Sequence, residues 1–284
     1  MRIRDALAEA AAAGVDRLDA QLLLGHLLRK PRAWLLAHDD EAMVPGVASD
    51  WSARLARRAA GEPLAYVLGE WTFRGLALNV SPAVLVPRPE TELLVDWALE
   101  CLAIAPSCEV LDLGTGSGAI ALSIAAAQPQ ARVLATDSDA DALAVAQTNA
   151  KKLRLPVEFA QGDWWAAVPH RQFGLVVSNP PYVALGDPHL AALSREPPGA
   201  LTSTGQGLDA LRRIVAGAPP HLLPGAWLLV EHGHDQAAAV RALLAARGFA
   251  DPQTRADLAQ LARCTGARWA GEGRDVNQFR PAPF

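Results

Sequence analysis

From Glu109 onward the sequence alternates short apolar runs with tight turns and helical patterns, and this rhythm restricts the fold more than any other feature. Val110-Leu111-Asp112-Leu113, Arg132 to Thr136, Val157 to Ala160, Phe173 to Ser178 and Ala226 to Val230 read as buried strands. Gly118 to Ala127, Asp141 to Lys152 and Ala237 to Arg247 read as helices. A strand–helix alternation predicts a mostly parallel sheet with helices on both faces, that is, an α/β fold. Such sheets bind ligands beyond the carboxyl ends of their strands.

The segment before this rhythm differs. The first 75 residues or so show helical periodicity. Ala20, Leu23, Leu24, Leu27 and Leu28 share one helical face, Pro31 follows, and a second helical pattern runs from about Val47 to Ala60. A small helical domain over 1–75 is expected, with a hairpin linker over 76–89 opening a larger domain over 76–284. Glu90-Thr91-Glu92 then leads into an apolar helix ending near Ala103, its acidic pair suited to a helix N-terminus.

Composition narrows the class. Hydrophobic residues make up 51% of the chain, enough for a sizeable core, and the net charge of −4 argues against a strongly basic nucleic-acid protein. Three cysteines, Cys101, Cys108 and Cys264, lack metal-ligand or redox spacing and read as reduced thiols. No apolar run approaches the roughly 20 residues that span a bilayer, and acidic residues follow the start too closely for a signal peptide. A cytoplasmic protein without membrane contact is expected.

Two motifs carry the chemistry. The first is Asp112-Leu113-Gly114-Thr115-Gly116-Ser117-Gly118, joining a strand to its helix, with Asp137 at the end of the next strand. Glycines there permit a tight turn and close approach of a ligand to the backbone. A carboxylate in the position of Asp137 can accept both hydroxyl hydrogens of a ribose. These residues point to a nucleoside-containing cofactor. A nicotinamide dinucleotide competes at this stage, because Gly114, Gly116 and Ala119 also satisfy its fingerprint.

The second motif, Ser178-Asn179-Pro180-Pro181-Tyr182, decides between them. It follows the fourth strand, on the same sheet edge as the glycine loop. An Asn oxygen and a free proline carbonyl can accept the two N–H hydrogens of a planar substrate –NH₂, with Tyr182 against its flat face. An amide nitrogen is a poor nucleophile because its lone pair is delocalised. Holding both N–H groups turns that lone pair toward an electrophilic methyl and stabilises the positive charge developing on nitrogen. The chemistry requires no metal. His232 and His234 have a spacing seen in metal sites, but no third ligand cluster accompanies them, and they read as loop residues.

With these motifs the chain resembles the release-factor glutamine methyltransferases over essentially its whole length. The matching strings are Arg88-Pro89-Glu90-Thr91-Glu92, Leu111 to Gly118, Gly162-Asp163-Trp164, Ser178 to Tyr182 and Glu231-His232-Gly233. The resemblance implies a seven-stranded, mostly parallel, Rossmann-like class I methyltransferase sheet whose last strand is antiparallel, behind a small N-terminal helical domain. It implies S-adenosylmethionine as cofactor, held by Gly114, Thr115, Gly116, Ser117, Gly118 and Asp137, with Trp164 flanking the adenine. It implies that Asn179, Pro180, Pro181 and Tyr182 hold the glutamine amide of the Gly-Gly-Gln motif of peptide-chain release factors, Asn179 also lying near the cofactor. The helical domain would help dock that protein substrate. A monomer without stable nucleic-acid binding is expected.

Three other functions compete. A sister family methylates a ribosomal-protein glutamine but resembles the chain less around Arg88 to Glu92. An adenine-N6 methyltransferase would use the same turn but needs a basic groove. A non-catalytic adaptor would not need an intact Asn-Pro-Pro-Tyr turn.

Overall fold

A computed structural model describes residues 1–271; residues 272–284, the end of the expected second domain, lie outside them. The described chain divides into two compact units, one of Met1–Trp71 with Val80–Pro82, the other of Thr72–Asn79 with the described residues from Ala83.

The first unit holds five helices: α1 (Ile3–Ala12), α2 (Arg17–Leu28), α3 (Arg32–Ala37), α4 (Pro45–Ala59) and α5 (Leu64–Leu68). Asp16 caps α2 by accepting from the Leu18 N–H, and Arg29 ends it in the left-handed region. Pro45 opens α4 at the position where a missing N–H costs nothing. Ala20, Leu23 and Leu24 of the expected face are buried with Ile3, Leu35, Trp51 and Leu55, while Leu27 and Leu28 pack partly against them. Three arginines of α4 bind within the unit. Arg58 pairs with Asp19, Arg57 with Glu62, and Arg54 donates to the Val67 carbonyl.

The boundary between the units falls in a hairpin, β1 (Glu70–Phe73) and β2 (Leu76–Asn79). A 3₁₀ turn (Pro89–Thr91) leads into α6 (Glu92–Ile104). The alternation then runs β3 (Glu109–Leu113), α7 (Ala119–Ala127), β4 (Arg132–Asp137), α8 (Ala140–Leu153), β5 (Val157–Gln161) and β6 (Phe173–Ser178). A small parallel pair, β7 (Val183–Ala184) and β8 (Thr202–Ser203), brackets the loop after β6. The chain continues through α9 (Asp209–Gly217), β9 (Leu222–Glu231), α10 (Ala237–Ala246), β10 (Phe249–Ala256) and β11 (Ala262–Trp269).

Seven strands form one sheet in the order β10-β11-β9-β6-β3-β4-β5. β3, β4, β5, β6 and β9 are mutually parallel, and β11 runs antiparallel to both β9 and β10. The strands sort their side chains by parity, as a sheet buried on both faces must. Val110, Val133, Ala135, Leu175, Val177 and Leu229 meet α6 and α7 on one face. Leu111, Leu113, Leu134, Val176, Leu228 and Val230 meet α9 and α10 on the other.

The chain leaves β3 toward β4 and β5, then returns to the opposite side of β3 as β6. The loops after β3 and β6 therefore diverge from adjacent strand ends, the crevice where such sheets bind ligands. Leu113 pairs with Ser178 there, and the Ser178 hydroxyl donates to the Leu113 carbonyl at 2.7 Å.

Candidate active site

The glycine loop is held open by its backbone. The N–H groups of Gly114 and Thr115 both donate to the Thr136 carbonyl at 2.9 Å, and Gly118 N–H donates to Thr115. Gly114, Gly116 and Gly118 all have positive φ (74°, 54° and 84°). At Gly118 packing adds to this demand, because a Cβ would sit 2.9 Å from the Leu122 Cδ1. At Gly116 a Cβ would meet no protein atom within 4 Å, leaving room above the loop.

Polar groups fasten the loop from below, and sequence reasoning assigned them no role. Asp112 is fully buried, and one carboxyl oxygen accepts from the Thr115 hydroxyl (2.7 Å) and the Ala121 N–H (3.2 Å). Its other oxygen has no hydrogen-bond partner. Burial pushes this carboxyl up to about 7. Asn149, also fully buried, donates to the Ser117 carbonyl at 2.9 Å while exchanging hydrogen bonds with the Asn79 backbone. Asn149 thus fixes the loop to the β1–β2 hairpin.

Asp137 ends β4 beside the loop. Its two carboxyl oxygens accept from Gly116 N–H (2.9 Å) and Asp139 N–H (3.0 Å). Each oxygen keeps capacity for a further donor. Burial raises this carboxyl above its usual range. Trp164 adopts a positive φ of 50° and lays its ring where a Cβ on Gly114 would be 3.4 Å away. Trp165 faces elsewhere: its indole N–H donates to the Ile214 carbonyl and its ring stacks on His221.

These groups surround a cavity of about 700 Å³. Gly114, Thr115, Gly116, Ser117, Asp137, Trp164, Asn179 and Pro181 line it; Gly118, Pro180 and Tyr182 stand outside the lining. Its far wall is the run from Pro197 to Ala200 with Thr202, Ser203 and Thr204, and its near wall includes Val84, Pro87, Arg88 and Thr91. Buried Glu196 joins the two walls, accepting from the Val86 N–H and pairing with the Arg88 guanidinium.

Asn179 is oriented by a second residue. Its Nδ2 donates to the Thr91 hydroxyl at 3.1 Å, which leaves Oδ1 free to accept. The Tyr182 hydroxyl donates to Glu231 Oε1 at 3.1 Å, and the Tyr182 carbonyl accepts from Gln236 Nε2 at 3.0 Å. Tyr182 therefore braces the turn from behind. His232 is occupied by the Thr265 hydroxyl (2.7 Å) and the Gly233 carbonyl (2.8 Å). The strings containing Thr91 and Glu231 stood out in the sequence, but nothing in the residues themselves showed that Thr91 bonds Asn179 or that Glu231 bonds Tyr182.

The chain matches known proteins over most of its length. A methyltransferase small domain model matches residues 91–208, and a PrmC N-terminal domain model matches residues 2–69. A release factor glutamine methyltransferase from Burkholderia pseudomallei is 51% identical over 92% of this chain and 94% of its own length. One from Bordetella pertussis is 50% identical over 93% of this chain and 98% of its own. The chain belongs to the release factor glutamine methyltransferases.

Solved structures agree on the fold. A 16S rRNA N2 G1207 methyltransferase from T. thermophilus, in complex with AdoMet and guanosine, matches with a TM-score of 0.52 and 20% identity, over 70% of this chain and 49% of that one. The catalytic domain of hMettl16 matches with a TM-score of 0.57 and 16% identity, over 75% and 80%. This release factor glutamine methyltransferase is accordingly an S-adenosylmethionine-dependent enzyme with the class I sheet. Its residues fit that cofactor: a carboxylate with spare acceptor capacity beside a glycine loop, an open space above Gly116 and an indole against the loop's first glycine. Among the described residues no helix is long and apolar enough to cross a membrane.

Proposed function

We propose that the enzyme methylates the side-chain amide nitrogen of the glutamine in the Gly-Gly-Gln motif of peptide-chain release factors, acting as a cytoplasmic monomer. The observation that carries this reading is the state of Asn179. Its N–H₂ group is already spent on Thr91, so its oxygen is the end left for a substrate amide hydrogen. The resemblance assigns the second hydrogen to the carbonyl of Pro180, a buried residue beside the cavity lining. An amide held by both hydrogens cannot rotate, and its lone pair is directed at the cofactor side of the cavity.

S-adenosylmethionine, when bound, supplies a methyl group on a cationic sulfonium. Asp137 would hold its ribose, the Gly114–Ser117 backbone would accommodate its amino-acid end, and Trp164 would flank its adenine. The methyl would pass to nitrogen as its bond to sulfur breaks, and the Asn179 oxygen would share the positive charge arriving on the amide nitrogen. The proton leaves that nitrogen once it carries the methyl group. Glu196 keeps the Pro197–Ser203 wall against the Val84–Arg88 wall, which shapes the entrance. The five-helix unit supplies docking surface for the rest of the release factor.

Mass spectrometry of release factor incubated with enzyme and S-adenosylmethionine tests the proposal. A gain of one CH₂ on the Gly-Gly-Gln glutamine is expected. Methylation of a ribosomal protein or of DNA adenine in its place would refute it.

A further inference from the structure

The Asn-Pro-Pro-Tyr turn has no N–H on either proline with which to tie itself down. Its exit is held from outside, by Gln236 just before α10. Gln236 Nε2 donates to the Tyr182 carbonyl at 3.0 Å and to the Gln206 carbonyl at 3.3 Å, while its Oε1 accepts from the Gly233 N–H at 2.9 Å. These contacts orient the amide: its nitrogen end meets two carbonyls and its oxygen end meets an N–H. Only a side chain with one donor end and one acceptor end satisfies both. Glu offers acceptors to all three partners, and Lys offers donors alone.

The two carbonyls belong to different pieces of the site. Tyr182 ends the turn, and its hydroxyl is bound separately by Glu231. Gln206 follows the far wall, where Thr202, Ser203 and Thr204 line the cavity. The turn and that wall meet through β7 and β8, in which Val183 pairs with Thr202 and Ala184 with Ser203. The chain then bends through consecutive left-handed residues, Gly205, Gln206 and Gly207, at φ 60°, 63° and 81°. Gln206 carries a side chain in a conformation that disfavours one. At Gly207 the demand is direct, because a Cβ there would sit 2.2 Å from the Tyr182 oxygen and 2.7 Å from Gln236 Nε2. The bend brings the Gln206 carbonyl to the same nitrogen that holds Tyr182.

We propose that Gln236 is a positioning residue for methyl transfer, fixing the substrate turn against the far wall of the cavity by bonding both carbonyls at once. The proposal rests on the reading of Asn179 and Pro180 as the groups that hold the substrate amide. Pro180 and Pro181 separate Asn179 from Tyr182, and their locked φ angles make the intervening backbone stiff. A shift at Tyr182 is therefore passed to the substrate acceptors rather than absorbed. Thr91 holds the turn at its entrance through Asn179, and Gln236 holds it at its exit. Without the second hold, the substrate amide keeps its acceptors but loses its alignment with the methyl donor.

The test uses the full chain, with single-turnover methylation at saturating S-adenosylmethionine and release factor. Gln236→Met keeps length and volume without the donors, and should slow the transfer step ~10–100-fold, the scale of a small misplacement of reacting groups. Gln236→Glu turns an acceptor on two carbonyls and should be slower still. Gln236→Lys returns a donor to those carbonyls while giving up the Gly233 contact, and should be faster than Gln236→Met. Packing alone gives a different order, with Met, the closest in shape, fastest and both charged variants slow. The loss should fall on the maximal rate and leave the half-saturating release factor concentration within about threefold. Calorimetric stoichiometry for S-adenosylmethionine counts folded sites, and so separates slow enzyme from unfolded enzyme. A wild-type rate in Gln236→Met, or Gln236→Met the fastest of the three, would overturn the proposal. A normal rate in Asn179→Ala strikes the reading of the turn itself, whereas a slow Asn179→Ala beside a normal Gln236→Met removes the positioning role alone.

Discussion

Replacing Asn179 with Ala tests the reaction at its centre. The side chain makes one hydrogen bond to the protein, Nδ2 to Thr91 at 3.1 Å, and offers one oxygen to the cavity. Ala removes both. The protein loses little, because only that single hydrogen bond is removed from it. The substrate amide loses one of two acceptors and regains freedom to rotate. Removal of a single positioned polar group that acts on developing charge costs on the order of 10²–10³-fold in the chemical step. The loss should therefore appear in single-turnover rate at saturating cofactor, with S-adenosylmethionine affinity nearly unchanged and melting temperature lowered only slightly. Asn179→Asp separates geometry from charge. It keeps an oxygen toward the cavity but presents an acceptor to Thr91 in place of the Nδ2 donor. It also introduces a carboxyl that titrates in the site. Asn179→Asp should consequently be slower than wild type, and its rate should depend on pH over a wider range. Normal single-turnover methylation by Asn179→Ala would refute the account of the site, and tighter cofactor binding by Asp at an unchanged rate would refute the coupling to Thr91.

Three further outcomes follow from the geometry. Asp137→Ala removes the carboxylate proposed to hold the ribose and the Gly116 N–H partner, so calorimetry should show S-adenosylmethionine affinity weakened by roughly 1.5–3 kcal/mol; unchanged affinity would remove Asp137 from the cofactor site. Asp112 is protonated more readily when folded than when unfolded, its carboxyl standing at about 7 against an ordinary 3.8. Its contribution to stability is complete below the ordinary value and is lost as pH rises through about 7, by up to ~4 kcal/mol at 1.36 kcal/mol per pH unit. Urea unfolding of apo enzyme across that range should show Asp112→Asn lacking this decline, and parallel curves would show that the carboxyl is not desolvated. Deletion of the first ~75 residues should lower methylation of intact release factor more than cofactor affinity, as measured by calorimetry beside the methylation assay, because the cofactor groups all lie in the second unit; equal activity on intact release factor would deny the helical unit a docking role.

The sequence made the sheet interior legible and the sheet edge obscure, for physical reasons. Phe173 to Ser178 reads as a strand because a central parallel strand is apolar on both faces, and β6 spans those residues. β9 reads as Ala226 to Val230 only, yet it begins at Leu222, since Pro224 and Gly225 interrupt the apolar run. β10 shows no pattern at all. It is an edge strand with Asp251 and Pro252 inside it and a register shift between Ala250 and Gln253, features that an edge tolerates and a central strand does not. β11 carries Gly266 because a Cβ there would come 2.4 Å from the Leu229 side chain, which is a tertiary demand invisible in a list of propensities. The antiparallel last strand came from family resemblance, and the register of β11 on β9 places it. At the site, the glycine loop, Asp137 and Asn179 carry their chemistry in residue type and spacing. Asp112, Asn149, Glu196 and Glu231 do not, because a buried polar residue reveals its purpose only through partners 3 to 110 positions away.

Methyl transfer between two bound groups demands that the cofactor loop and the substrate turn be placed to within a fraction of an ångström of one another. Here neither loop is positioned by its own length. Both start from paired residues of adjacent parallel strands, Leu113 on β3 and Ser178 on β6, and a 2.7 Å hydrogen bond from the Ser178 hydroxyl joins the two departures. The β3–β6 register is in turn fixed on both faces, since a slip of one residue would exchange Val110 and Leu175 on one side for Leu111 and Val176 on the other. Beyond the strand ends each loop is then tied to a different neighbour: the glycine loop to β4 through Thr136 and Asp137, the Asn-Pro-Pro-Tyr turn to β9 through Glu231. Four adjacent strands thus anchor both loops. The loops are free to differ in what they bind because the distance between them belongs to the sheet.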